Sequence, residues 1–346
     1  MKQRRVAEKS GIAGMLVVLA VLAWNPVQAR AETEINELAR EIARELGFDE
    51  DDVERVESGQ VLTRKFRKED ENELSVILFA LAPLDLSKAR ERFKGNEALE
   101  ADQTILDWGT IGEPASADSF AKLRLPNDEL DKLADDDRAD DFNLSASELS
   151  ILGKRLAEAG DARPKRRDAA MRAYREILAA RVTAYRSGGL AGIAGYDRDG
   201  DEAEPAKYLA RTLPVKDGIL MRQAPEFAEY LNGFPKKGEA GASKIVWLLQ
   251  VLNGRPAAIL AHRAEALGDK ALFFTQRDFY VGHTFDALAV VAGLVPAGEG
   301  NSALFYTNST FTDQITGFGS SAAHGIGRKI MTKEILTLFE SAKADL

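Results

Sequence analysis

The chain has 346 residues, with 46 basic and 55 acidic side chains, three histidines and no cysteine. A hydrophobic content of 45% excludes global disorder and is ample for the core of one large domain or two ordinary ones. The missing cysteine excludes disulfides, thiolate nucleophiles, Fe–S clusters and a lipoprotein anchor. The acidic balance argues against nucleic acid as a partner, because few cations remain to neutralise phosphates.

The first 31 residues have the layout of a cleaved secretory signal. A basic start around Arg4 precedes an uncharged apolar run of 13 residues at 12–24, and the small residues Ala29 and Ala31 follow. A membrane-spanning helix needs about 20 apolar residues, so cleavage after Ala31 is favoured over retention as an anchor. Cleavage removes five basic residues and one acidic residue, which changes the formal charge from −9 to −13. We therefore expect a periplasmic or secreted protein with no permanent membrane span.

Helices and strands alternate in the next part of the chain. Apolar residues at helical spacing predict a helix at 33–46, with Thr33 as N-cap and Gly47 as its stop. Apolar runs between turn residues predict strands at 59–66, 73–81, 104–111 and 120–125, with a short helix at 88–93.

The middle of the chain combines an acidic run with two helices. Residues 127–144 are rich in Asp, which predicts a solvated linker, with a loosely bound divalent cation as the alternative. The next helix is predicted at 145–159, where Ser145 and Glu148 form a capping box. Another follows at 164–186.

The C-terminal part predicts an antiparallel sheet closed by a long helix. Asn253 and Gly254 are the standard signal of a two-residue hairpin. The predicted strands are 245–252, 256–262, 271–285, 287–295 and 303–315, and a helix at 321–343 buries Ile326, Ile330, Ile335, Leu338 and Phe339. This order predicts an α+β fold with an antiparallel sheet, a long packed C-terminal helix and helical insertions.

The predicted organisation has five parts. They are a signal peptide at 1–31, an N-terminal α+β subdomain at 32–126, the acidic linker at 127–144, a mainly helical segment at 145–240, and strands with the C-terminal helix at 241–346.

Two resemblances cover short stretches of the chain. Residues 279–285 and 304–310, followed by Asp313, resemble a pattern of uncharacterised exported bacterial proteins. The strand that leads through Ala82 and Pro83 into a helix, together with the closing helix, resembles the helix-grip (START-like) architecture. That resemblance implies a cavity between sheet and helix for an apolar ligand, and it transfers no catalytic residues.

Six polar residues on adjacent predicted strands are the candidate ligand-binding residues. They are Arg277, Tyr280, His283, Tyr306, Asn308 and Asp313. They either converge as the few polar groups of a mostly apolar pocket, or they stabilise the sheet through cross-strand pairs.

Motifs for other chemistry are missing or incomplete. The three histidines have no HExxH or HxH spacing, and no GxSxG, GxGxxG or P-loop motif occurs. Asp197, Asp199 and Asp201 are spaced like the start of a calcium loop, but Glu202 replaces the glycine that such a loop needs. We therefore predict no cofactor and treat these three aspartates as a weak metal candidate.

The leading functional hypothesis is non-enzymatic binding of an apolar or lipid-like ligand in the cell envelope. One alternative is a periplasmic hydrolase that uses His283 with a nearby carboxylate such as Asp278, Asp286 or Asp313. Another is a structural partner in an envelope assembly.

Overall fold

One large antiparallel sheet, covered by helices on both faces, forms the centre of the protein. The computed structural model describes residues 35–344, with the exception of 67–68, 94–98, 101, 136–140, 199–200, 236–241, 299 and 317–319. The predicted signal peptide therefore lies outside the described residues.

In this part of the chain, eight strands form the main sheet in the order β1-β2-β10-β9-β8-β7-β6-β3. Every neighbouring pair is antiparallel. The strands are β1 (Leu62–Arg64), β2 (Glu73–Ala82), β3 (Ile105–Thr110), β6 (Ala242–Leu252), β7 (Arg255–Leu267), β8 (Leu272–Val281), β9 (Ala287–Pro296) and β10 (Ser302–Phe311). A separate small hairpin consists of β4 (Tyr196–Arg198) and β5 (Asp201–Ala203).

The helices precede, interrupt and follow the strands. They are α1 (Glu37–Glu45), α2 (Glu50–Glu57), α3 (Leu86–Phe93), α4 (Asn127–Leu133), α5 (Ala146–Ala159), α6 (Arg163–Gly188), α7 (Pro205–Ala210), α8 (Ile219–Gln223), α9 (Pro225–Gly233) and α10 (Ser320–Ala344). The sheet with its long packed helices α6 and α10 confirms the predicted α+β class. No helix among the described residues is long and apolar enough to cross a membrane.

The two faces of the sheet follow from the alternation of side chains along each strand. On β2, Leu74, Val76 and Leu78 pack with α10 and α3 on the face that we call the α10 face. On the same strand, Ile77 and Phe79 point to the opposite face. That opposite face, called the α6 face, is covered by α4 to α7 at one end and by α1, α2, α8 and α9 at the other.

Local signals in the sequence correctly predict several boundaries. Asn253 and Gly254 have φ angles of 49° and 76°, as a two-residue hairpin between twisted strands requires. Ser145 and Glu148 form the predicted capping box at the start of α5. The first helix ends before Gly47, whose φ is 91°, although Asn36 caps its start and Thr33 lies outside the described residues.

Several predicted strands differ from the structure. The strand predicted at 303–315 ends at Phe311, before a 3-10 turn at Asp313–Ile315. The strand at 120–125 is wrong, because a 3-10 turn spans Ala117–Phe120 and an irregular segment follows. Leu123 in that segment is buried in the cluster around α6, where its carbonyl accepts a hydrogen bond from Arg175. The strand predicted at 271–285 ends at Val281, and Thr284 beyond it has a φ of 82°, which a strand does not permit.

The buried side of α10 also differs from the prediction. Ile326 is 62% exposed, and the helix buries Met331, Ile335 and Phe339. These three residues follow one another every four positions and so share one face. Ile326 precedes Met331 by five positions, which rotates it by about 140° away from that face.

The acidic run contains more regular structure than a linker. Its residues Asn127–Leu133 form α4. Glu129 on this helix is buried and accepts hydrogen bonds from Arg255 and from Lys132. These contacts lower the pKa of the Glu129 carboxyl against the opposing effect of burial.

Candidate functional site

Polar side chains cross the α10 face in a band over neighbouring strands. Arg263 on β7 lies directly opposite Gln276 on β8. Asn308 on β10 is separated from Gln276 by Val290 on β9. Because the side-chain period of a strand is two, Asp278 and Thr310 lie one position further along the same face. We call Arg263, Gln276, Asp278, Asn308 and Thr310 the polar band.

The polar band is fully enclosed. None of its residues is more than 5% exposed, and Asn308 and Thr310 have no exposed surface. The surroundings are apolar, since Phe274, Leu288 and Val290 belong to the same core cluster as Met331 of α10. The Thr310 hydroxyl lies 3.8 Å from the Met331 sulfur, so α10 touches one end of the band.

Two hydrogen bonds connect band residues that are two positions apart. The Gln276 side chain donates from Nε2 to Oδ1 of Asp278 at 2.9 Å. The Thr310 hydroxyl donates to Oδ1 of Asn308 at 3.0 Å. These bonds orient the two amides, and Oε1 of Gln276 and Nδ2 of Asn308 take no part in them.

Five buried polar atoms of the band have no hydrogen-bond partner within the described structure. They are Nε and Nη1 of Arg263, Oε1 of Gln276, Oδ2 of Asp278 and Nδ2 of Asn308. Folded proteins pair most of their buried polar atoms, and an unpaired one costs about 1–3 kcal/mol. The band therefore offers three N–H donor atoms, the Gln276 carbonyl oxygen and the Asp278 carboxyl to a further group.

Burial also changes the acid–base behaviour of the band. It raises the pKa of Asp278 to about 8, against the opposing effects of the Gln276 hydrogen bond and the Arg263 charge. It lowers the pKa of Arg263 to about 10, which the charges of Glu265 and Asp278 only partly offset. Burial raises the pKa of Tyr306, and the nearby charge of Asp278 adds to this shift. At neutral pH the band thus contains a cation and a mainly protonated carboxyl group.

The structure separates the six candidate residues predicted from the sequence. Tyr306 and Asn308 lie on the α10 face, in register with Ala292 and Val290 of β9. Arg277 lies on the α6 face because it alternates with Gln276 and Asp278. Tyr280 lies there as well, because a register shift in the β7–β8 ladder places Phe279 and Tyr280 on the same side.

The two residues on the α6 face have protein partners. Nη1 of Arg277 donates to the carbonyl of Leu231 at 3.1 Å. The Tyr280 hydroxyl lies 2.8 Å from the Tyr174 hydroxyl of α6. These contacts join the sheet to the helices above it.

His283 lies in the turn after β8, where its ring contacts Thr284 and Pro256. Its Nδ1 is 2.7 Å from the Thr284 hydroxyl and its Nε2 is 3.2 Å from the Pro256 carbonyl. Burial and then the charge of Arg255 lower the pKa of His283 to about 4. Among the described residues, His283 has no hydrogen bond to Asp278, Asp286 or Asp313.

Arg198, rather than a histidine, connects Asp286 with Asp313. Its Nη2 donates to Oδ1 of Asp286 at 3.0 Å, and its Nε donates to Oδ2 of Asp313 at 3.2 Å. The same Nη2 reaches Oδ1 of Asn143 at 2.6 Å. This cluster ties the β4–β5 hairpin to the end of the main sheet.

The weak metal candidate falls largely outside the described residues. Asp197 pairs with Glu202 in the β4–β5 ladder, whereas Asp199 and the side chain of Asp201 are not described. The described part of the chain contains no group of three or more Asp, Glu or His side chains placed to hold a metal ion.

Sequence reasoning missed Arg263, Gln276 and Thr310. A signal for the last two is present, because Gln276 with Asp278 and Asn308 with Thr310 are spaced by two in strands that begin with apolar runs. Polar residues at that spacing share a buried face and require an explanation. Arg263 gives no such signal. Glu265 follows it two positions later, and this end of β7 has more polar residues than the middle of the strand.

Comparison of this chain with models of known protein families, with curated protein sequences and with solved structures finds no significant match.

Proposed function

We propose that this protein is a non-enzymatic binding protein of the cell envelope that holds an apolar or lipid-like molecule between the α10 face and α10. The observation that carries the proposal is the set of five unpaired polar atoms in the polar band. A molecule with acceptor and donor atoms at one end would pair with them and recover the free energy lost through their burial.

The surroundings of the polar band favour an amphipathic molecule. Phe274 and Val290 on the sheet, with Met331 and Ile335 on α10, offer apolar contacts beside the polar atoms. Binding sites for small molecules commonly combine such a lining with a few polar groups that fix orientation. The composition of the band supports binding rather than catalysis, since its carboxyl group is hydrogen-bonded to an amide and not to a histidine.

Mass spectrometry of the protein purified from the cell envelope tests the proposal. We expect an amphipathic molecule to be released on denaturation in a ratio near one per chain. Gln276→Leu gives a side chain of similar volume but removes one orienting amide. We expect this variant to lose the bound molecule while remaining folded. Gln314→Leu changes an exposed glutamine and is the matched control. Recovery of no small molecule from the wild-type protein would contradict the proposal.

The cellular location is part of the same proposal. The basic start, the apolar run and the small residues before position 32 support export and cleavage after Ala31. The intact mass of protein recovered from the periplasm or the medium should correspond to a chain that begins at Glu32. A cytosolic protein that retains residues 1–31 would contradict export.

A further inference from the structure

A threonine in the turn after β8 has a backbone conformation that β-branched residues rarely adopt. Thr284 has a φ of 82°, whereas a branched side chain strongly favours negative φ. Such strain persists only where the surrounding structure enforces it, and it is concentrated at functional sites. Thr284 is partly exposed, although His283 before it and Phe285 after it are buried. The turn therefore presents a strained threonine to the solvent.

Two hydrogen-bonding side chains hold this turn in place. Nδ2 of Asn143 donates to the carbonyl of Val281 at 2.8 Å and to that of Phe285 at 2.9 Å. The Thr312 hydroxyl donates to the carbonyl of Thr284 at 3.3 Å. These bonds fix the backbone on both sides of Thr284 and so maintain its conformation.

The hydrogen bonds of His283 determine which of its ring nitrogens carries the proton. Nε2 lies 3.2 Å from the Pro256 carbonyl, which can only accept, so Nε2 carries the hydrogen of the neutral imidazole. Nδ1 is then an acceptor, and the Thr284 hydroxyl donates to it over 2.7 Å. A hydroxyl that donates to the free nitrogen of a histidine, which a further group orients, is the arrangement of a nucleophile with its general base.

We infer that Thr284 is a nucleophilic modification site, which His283 activates and which takes an acyl group from an activated ester. A bond forms between Oγ1 of Thr284 and the acyl carbon, and the bond between that carbon and the leaving-group oxygen breaks. The hydroxyl proton passes to Nδ1 of His283 and from there to the leaving oxygen, which departs as an alcohol. The site lies in the turn beyond β8 and not in the polar band, so this inference goes beyond the proposed function and does not depend on it.

The charged groups around His283 keep its imidazole neutral and able to accept a proton. Besides burial, the charges of Arg255 at the start of β7 and of Lys132 on α4 lower the pKa of His283. The charge of Glu129 on α4 and the hydrogen bond to the Pro256 carbonyl raise it. The resulting pKa is about 4. Attack assisted by His283 should therefore have a nearly constant rate from about pH 5 to about pH 8, whereas the rate of an unassisted hydroxyl rises about tenfold with each pH unit.

Reaction with para-nitrophenyl acetate tests the inference. The purified full-length protein is treated with this ester, and peptide mass spectrometry follows acetylation of each hydroxyl with time. The reference is Thr337, an exposed threonine of α10 whose hydroxyl donates to the Lys333 carbonyl. We expect Thr284 to be acetylated about a hundredfold faster than Thr337, since general-base assistance contributes at least about this factor. The rate at Thr284 should also show the nearly constant pH dependence.

Two substitutions separate activation by His283 from exposure of Thr284 alone. His283→Gln keeps an N–H that can donate to the Pro256 carbonyl and removes Nδ1, so it should slow acetylation of Thr284 about a hundredfold. Thr284→Ser keeps the hydroxyl and should still be acetylated at this position. Thr337→Val is the matched control and should leave the rate at Thr284 unchanged, while thermal melting confirms that each variant is folded.

Three results would overturn the inference. They are acetylation of Thr284 no faster than that of Thr337, a rate at Thr284 that follows the hydroxide concentration, and a rate that His283→Gln leaves unchanged. The first two are measured on the wild-type protein, so they decide the question even if His283→Gln does not fold.

Discussion

The charge state of Asp278 is set by its position beneath α10. Its side chain is 1% exposed and its Oδ2 has no hydrogen-bond partner among the described residues. A hydrogen bond from Gln276 and the charge of Arg263 lower the pKa of Asp278, and the charge of Asp278 in turn raises the pKa of the Tyr306 phenol. Burial dominates over the first two, so the folded protein binds the Asp278 proton much more tightly than an unfolded chain does.

Asp278→Asn should therefore change how stability depends on pH. The Asp278 carboxyl has a pKa of about 8 in the folded state, against a reference value of 3.8 for the unfolded chain. The free energy of unfolding of the wild type therefore falls as pH rises between these two values. We expect the melting temperature of the variant to exceed that of the wild type above about pH 8, and the difference to shrink towards about pH 4. Asp286 has a pKa raised to about 7 with the same sign, but it is present in both proteins and cancels.

Differential scanning fluorimetry across the pH range measures this effect. Asp161→Asn, at an exposed position, is the control and should follow the wild-type curve. If the curve of Asp278→Asn also ran parallel to the wild type, Asp278 would not be buried in a neutral form.

At the scale of elements, one buried ion pair ties α5 and α6 to the sheet. Glu148 caps the start of α5 and also accepts a hydrogen bond from Arg181 of α6. The Arg181 guanidinium lies 4.5 Å from the Tyr280 ring and 5.3 Å from the Tyr196 ring. A single carboxylate thus balances a cation shared by two helices, β8 and the β4–β5 hairpin.

Glu148→Gln should destabilise the protein strongly. The substitution leaves the Arg181 charge buried without a counter-ion, which costs about 3–5 kcal/mol. Urea unfolding followed by circular dichroism measures the loss. The matched control is Glu176→Gln, which breaks the exposed pair between Arg155 of α5 and Glu176 of α6 and should give no measurable change. Equal effects of the two substitutions would show that burial of the Arg181 pair has no energetic consequence.

The hairpin between β6 and β7 gives a second prediction for an element. Gly254 has a φ of 76°, and a Cβ at this position would meet no atom within 4 Å. Any effect of Gly254→Ala is therefore a backbone effect, which we expect to lower the free energy of unfolding by about 1–2 kcal/mol. Gly153→Ala, inside α5 and equally free of contacts, should raise it by about 0.5–1 kcal/mol. The same denaturant titration compares them, and a neutral Gly254→Ala would contradict the turn geometry.

More of the fold than of the candidate site could be predicted from sequence, because the signals for the fold are local. Caps, hairpin turns and apolar runs are local, so Ser145, Asn253 and β2 could be assigned from their neighbours. The polar band depends on register between strands, and the irregularity near Phe279 changes the face of the β8 residues that follow it. Register of this kind is set by packing across the sheet. The sequence alone therefore could not show that Arg263 and Gln276 lie opposite each other.

At the scale of the whole molecule, strands distant in sequence hold the sheet together. β2 pairs with β10 along its full length, from Glu73 opposite Phe311 to Ala82 opposite Ser302. The Ser309 hydroxyl donates to Oε1 of Glu73 at 2.7 Å across the same pair. β3 in turn closes the other edge against β6. The strands predicted for the N-terminal subdomain and for the C-terminal segment thus belong to one sheet.

A fragment of residues 241–346 should therefore not fold alone. Without β2, the backbone of β10 becomes an open edge, and Trp247, Leu260 and Phe279 lose the cover of α6. Exposed edges and apolar surface of this kind lead to aggregation rather than to a stable sheet. We expect the isolated fragment to lack a cooperative unfolding transition, and co-expression with residues 32–240 to restore soluble, cooperatively unfolding protein. Gel filtration and urea unfolding provide the measurement. A fragment that unfolds cooperatively as a monomer would show instead that the C-terminal strands and α10 form an autonomous domain.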